Sequence, residues 1–155
     1  MGNNMSWEEN VRKVVPYVAG EQPKDTDVIK LNTNECPYPP APGVEKRAKE
    51  LCVDRLRLYP NMDAAELVAA IADYYNVKES EVFVGVGSDD VLGMAFMTFF
   101  NSAKPILFPD ITYSFYDVWA ELFHIPYRCP ELDNDFRLVK EDYLTENGGI
   151  VIPNP

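Results

Sequence analysis

Through the first 43 residues the apolar positions keep no sustained period. Val28–Leu31 is a short extended run, and it leads into Asn32–Pro42, where prolines 37, 39, 40 and 42 oppose helix and favour extended or polyproline geometry. Residues 1–43 are therefore expected to form an extended arm without a core of its own, lying across the body of the protein or a partner subunit. Helical spacing begins at Val44, with Val44, Ala48, Leu51 and Cys52 at i, i+4, i+7 and i+8. Pro60 interrupts it, and Tyr59–Asn61 reads as a turn. A second helix is predicted over residues 63–75, with Leu67, Ala70, Ile71 and Tyr74 on one side. Asp63 is its expected N-cap, with Glu66 three residues on.

From Val82 short apolar runs alternate with helical ones. Strands are predicted at 82–86, 105–108, 125–128 and 149–153, and helices at 89–100, 113–123 and 140–146. On the helix at 89–100 the apolar face is read as Val91, Leu92, Ala95, Phe96 and Phe99. Strands and helices in turn imply crossover connections and a mainly parallel sheet with helices on both faces, a three-layer α/β fold. Residues 44–155 are read as one such unit following the 1–43 arm.

Composition narrows the function. Fourteen basic against 25 acidic residues leave a formal charge of −11, which repels phosphate backbones and disfavours nucleic acid. A small phosphorylated ligand stays possible, because local amide dipoles can hold it. No apolar run approaches the roughly 18 residues that span a bilayer, and residues 1–10 are polar, so no membrane partner and a cytoplasmic location are expected. The three cysteines, Cys36, Cys52 and Cys129, lack metal-ligand spacing and read as reduced thiols. With His124 as the single histidine, no metal site and no Ser-His-Asp triad is expected.

Two segments carry candidate chemistry. In Val82-Phe-Val-Gly-Val-Gly-Ser-Asp-Asp90 an apolar strand meets a glycine turn and a helix starts at once. The first amides of a helix have no intrahelical acceptor and the helix dipole is positive there, so this is a candidate anion or phosphate site. It lacks the third glycine of a dinucleotide fingerprint and is no P-loop. The acidic side chains of Asp89 and Asp90 would repel a phosphate, so the contacts are expected from backbone amides, with the Ser88 hydroxyl added. A plain strand-to-helix turn capped by Ser88 is the alternative. The second segment is Pro109-Asp-Ile-Thr-Tyr-Ser-Phe-Tyr116, just past a strand end, where open parallel sheets bind ligands. Tyr113 and Tyr116 are read at i and i+3 of a starting helix, able to face one cleft or simply to pack.

In order and spacing, six segments resemble histidinol-phosphate aminotransferases. They are Glu9-Asn-Val-Arg-Lys-Val-Val-Pro-Tyr17, Leu31-Asn-Thr-Asn-Glu35 followed by prolines, Leu58-Tyr-Pro-Asn61, Gly87-Ser-Asp-Asp90, Thr112-Tyr-Ser-Phe-Tyr116 and Val151-Ile-Pro-Asn-Pro155. The resemblance implies the front part of the large domain of a fold type I enzyme that uses pyridoxal 5'-phosphate (PLP), with residues 1–43 as its N-terminal arm and small-domain segment. It implies that the amides of Ser88 and Asp89 bind the cofactor phosphate and that Tyr113 stacks on the pyridine ring. Tyr59 would reach across a homodimer interface to the partner's cofactor phosphate. Tyr17 and Asn34 would line the substrate side. The implied partners are a small amino donor and a 2-oxo acid, with transamination of histidinol phosphate and 2-oxoglutarate in histidine biosynthesis the implied reaction.

The family's lysine, which binds PLP covalently and shuttles a proton, matches no residue of these motifs. Its pyridine-nitrogen aspartate and recognition arginines match none either. Lys104 and Lys140 stand in surface-like contexts, so no catalytic residue is assigned, and these 155 residues alone are expected to be inactive. They are read as the front part of a longer enzyme. The alternatives are an aminotransferase or decarboxylase of the same superfamily acting on another amino acid or phosphorylated amine, or a catalytically dead module that dimerises or binds.

Overall fold

The computed structural model describes Val11 and residues 13–15, 20–21, 23–24 and 27–154. Two compact units divide the chain, one of residues 18–84 and one of residues 1–17 with 85–155.

In the 18–84 unit, α1 spans Pro42–Lys49, with proline in its first turn, where the missing N–H costs nothing. A 3-10 turn at Val53–Arg57 follows, and then α2 at Ala65–Tyr75. The expected N-cap of α2 is corrected. Ala64 caps the helix in left-handed backbone (φ 46°) without a side-chain bond. Asp63 instead gives its amide to Asn61 Oδ1 at 2.9 Å, which draws it into the preceding turn. Of the predicted α2 face only Ile71 is half-buried: Ala72 is buried with Val68 and Ala69 half-buried beside it, whereas Leu67, Ala70 and Tyr74 are exposed.

The second unit holds the sheet. Strands β1 (Ile106–Leu107), β2 (Tyr127–Arg128) and β3 (Gly149–Ile150) lie in the order β2-β1-β3, and both pairings are parallel. Ile106 stands opposite Tyr127 on one side and Gly149 on the other. Helix α3 (Ser88–Phe99), α4 (Tyr116–Phe123) and the short α5 (Lys140–Tyr143) join them. Alternation along β1 sends Ile106 and Phe108 into a core with Phe96 of α3 and Tyr116 and Ala120 of α4, and Ile125 closes that core. Leu107, fully buried as well, points to the other face. The α/β reading with a parallel sheet is borne out at this scale.

Two local expectations fail. Residues 82–86 are extended in part (Val82 φ −113°, ψ 127°) but pair with no strand among the described residues, and Phe83 and Val86 are exposed. Extended propensity sets backbone angles, whereas a ladder also needs a strand brought alongside, and none of β1, β2 and β3 pairs with this run. On α3 the expectation fails only at Phe99: Leu92 and Phe96 face the core and Val91 and Ala95 are half-buried as read from the sequence, but Phe99 is 75% exposed and Phe100 packs on the core instead.

Candidate functional site

Helix α3 begins where the sequence places it, but Gly87, not Ser88, is the N-cap, at φ 91° and ψ 168°. That positive φ is the reason for glycine at this point, since no neighbouring atom crowds the position. Ser88 and Asp89 thus become the first two helical residues, and their amides, with that of Asp90, have no intrahelical acceptor. An anion at such a helix start gains roughly 0.3–1 kcal/mol from the dipole.

The two acidic residues that ought to repel an anion are both engaged elsewhere. The Asp90 carboxylate turns back to accept the Val86 amide at 3.0 Å. Gly85 makes room for it, since a Cβ there would stand 2.7 Å from Asp90 Oδ2. The Asp89 carboxylate accepts the Tyr113 hydroxyl at 2.6 Å. This last bond brings together two of the residues singled out from sequence, 24 positions apart. No local periodicity announces it, nor the part played by Asp90.

Tyr113 and Tyr116 do not face one cleft as a helical pair. Helix α4 starts at Tyr116, so Tyr113 lies in the turn before it. Tyr116 is 5% exposed and packs on Phe96 (6.1 Å, stacked) and Phe108 (5.7 Å, edge-on). Burial pushes its phenol above the ordinary tyrosine range. Tyr113 is 38% exposed and borders a cleft of about 280 Å³ past the carboxyl ends of β1 and β2. Pro109, Asp110, Thr112, Tyr127 and Cys129 line the same cleft, in which the buried Thr112 Oγ1 finds no hydrogen-bond partner. Cys129 is exposed at the cleft rim, where partial desolvation and the negative charge of Asp117 and Asp110 raise its thiol.

The remaining predicted residues belong to the other unit or lie outside the description. Tyr59 is 85% exposed beside a cleft of about 820 Å³ that Arg47, Arg55 and Leu56 help to line. Asn34 follows Thr33 in a turn where both have positive φ (63° and 50°), a conformation that asparagine tolerates well. Next to it Glu35 pairs with Lys30, whose hydrogen bond and charge hold the carboxyl below its usual range. Tyr17 lies outside the described residues. Among the described residues no cluster of metal-ligating side chains occurs, and no helix is long and apolar enough to cross a membrane. Lys104 is held at the surface by Glu146 at 2.8 Å.

A helix start with unpaired amides, its two carboxylates each taken up by a hydrogen-bond donor, and an aromatic ring tied to the first turn together suit a phosphate ester carrying a flat ring. These residues therefore fit PLP. The chain belongs to the aminotransferase class I and II family, whose profile matches residues 26–155. Within that family it is 54% identical over 151 residues to the histidinol-phosphate aminotransferase of Lactococcus lactis subsp. cremoris, with 97% of this chain covered. It is 50% identical over 149 residues to that of Clostridium beijerinckii and 51% to histidinol-phosphate aminotransferase 1 of Hydrogenovibrio crunogenus, each with 96% covered. The chain spans 42% of the length of each of these curated relatives. The resemblance drawn from six sequence segments is borne out.

Proposed function

We propose that the full-length protein is a PLP-dependent aminotransferase that exchanges an amino group between histidinol phosphate and 2-oxoglutarate in histidine biosynthesis, in the cytoplasm. The observation that carries this reading is the 50–54% identity, over nearly the whole chain, to proteins named for that activity.

In this reading the amides of Ser88 and Asp89 and the Ser88 hydroxyl bind the cofactor phosphate, and Tyr113 lies against the cofactor ring. When bound, PLP supplies an electron sink for loss of a proton from the amino-bearing carbon of the substrate. Dipole and amides at the helix start act locally, so they can hold the cofactor phosphate despite a net charge of −11. Tyr59 serves the site of a second subunit, and Tyr17 and Asn34 face the substrate. Residues 1–43 lie along the partner, and residues 44–155 form the first part of a three-layer cofactor domain. No catalytic residue is assigned among these 155 residues.

Steady-state rates of the full-length protein with 2-oxoglutarate, taken across histidinol phosphate, aromatic amino acids, aspartate and other phosphorylated amines, test the proposal. The highest kcat/KM is expected for histidinol phosphate. A clear preference for another donor would overturn the substrate while leaving the family in place.

A further inference from the structure

We propose that the Asp89 side chain is a positioning residue for Tyr113. Its carboxylate takes the phenol's hydrogen bond and holds the ring at the start of α3, in the orientation a flat ligand needs. The inference rests on the cofactor reading above, and it concerns a side chain that the reading leaves idle, since only the Asp89 amide is used there.

Three observations carry it. The bond is short, 2.6 Å between Tyr113 Oη and Asp89 Oδ1, and links a loop residue to a helix start 24 positions away. Tyr113 precedes α4, so no helical backbone orients it. Its ring contacts Phe115 (6.0 Å, stacked) and Tyr116 (5.7 Å, edge-on), but at 38% exposure packing does not enclose it. Finally, the neighbouring carboxylate of Asp90 accepts the Val86 amide, so the two acidic residues divide the work. Asp90 braces the turn, and Asp89 braces the ring.

A carboxylate beside a phosphate site is unfavourable by itself. A hydroxyl donated to it draws its charge toward the tyrosine and gives it a positional task. Immobilising one side chain in advance is worth about a two- to tenfold change in a dissociation constant. That is the size of effect expected here.

The test is a double-mutant cycle in the full-length protein, read as the PLP dissociation constant of the apo form by tryptophan fluorescence titration. Asp89→Ala and Tyr113→Phe should each weaken PLP by about two- to tenfold, and the double variant should be no weaker than the worse single one. Asp89→Asn keeps an oxygen acceptor and should stay near wild type, which a role in net charge alone does not predict. A second readout needs no cofactor. In apo protein labelled at tyrosine Cζ, the NMR signal missing from Tyr113→Phe should move in Asp89→Ala and return toward its place in Asp89→Asn. Additive losses in the cycle, or an unmoved signal, overturn the proposal. Should wild type fail to bind PLP, the cofactor reading falls, and the tyrosine signal still decides whether Asp89 holds Tyr113.

Discussion

A methyl group on Gly85 would stand 2.7 Å from Asp90 Oδ2, the oxygen that accepts the Val86 amide at 3.0 Å, and 2.9 Å from Val91 Cγ2. Glycine is thus required at 85 for space. Gly85→Ala should cost about 1–3 kcal/mol in the full-length protein, the scale of overpacking a close contact. Part of that cost should vanish in an Asp90→Ala background, because the carboxylate is then gone. Urea unfolding of the two single variants and the double one measures this, and equal cost in both backgrounds would contradict it.

The two tyrosines of the 109–116 segment should separate cleanly. Tyr116→Ala removes a ring packed between Phe96 and Phe108 and should cost about 3–5 kcal/mol of stability. Tyr113→Ala should change stability little but weaken PLP by about tenfold, the scale of a lost stacking contact together with some burial. A melting curve and a cofactor titration on each variant decide it.

Tyr59 is exposed within its own chain, as a residue serving a second subunit has to be. A hydrogen bond to a charged phosphate contributes roughly 1.5–3 kcal/mol, so Tyr59→Phe should loosen PLP by about one to two orders of magnitude without unfolding. Mixing this variant with one lacking the cofactor lysine should place both lesions in one site of a heterodimer and leave the other intact. Activity should partly return. Heterodimers that form and stay inactive would mean that Tyr59 serves its own subunit.

Alkaline pH should loosen the sheet unit. Burial raises the phenols of Tyr116, Tyr127 and Tyr143 above their ordinary value near 10, helped at Tyr127 by its hydrogen bond to Glu121 and at Tyr143 by the charge of Asp110. The folded state therefore favours the neutral phenols. That contribution is complete below the unfolded pKa and is lost as pH rises through the raised folded values. Unfolding free energy should hold up to the ordinary phenol range and fall as pH rises above about 10. The fall should be smaller in Tyr143→Phe, which also removes a buried hydroxyl that has no hydrogen-bond partner.

A polypeptide of these 155 residues alone should show no transaminase turnover and no single lysine reducibly linked to PLP. Lys104, already paired with Glu146, is not placed for such chemistry. Borohydride reduction followed by peptide mass mapping checks this. One site-specific adduct together with turnover would refute it.

The amino-acid order by itself determined the family, the alternation of short strands with helices, and the helix start after Gly87. The family follows from the six segments that resemble its members; the other two follow from short-range rules: apolar period, turn chemistry and the positive φ that glycine accepts. Only the tertiary structure decided which tyrosine is packed and which borders the cleft. Tyr113 and Tyr116 are alike in local pattern, and Phe96 and Phe108 claim the second. It also decided that Asp89 reaches forward to Tyr113 while Asp90 folds back to Val86. Adjacent identical residues cannot be told apart by propensity, because their partners stand 24 positions ahead in one case and four behind in the other. Likewise, the apolar run at 82–86 encodes extended backbone, but pairing depends on the tertiary fold bringing a strand alongside, which no property of those five residues decides.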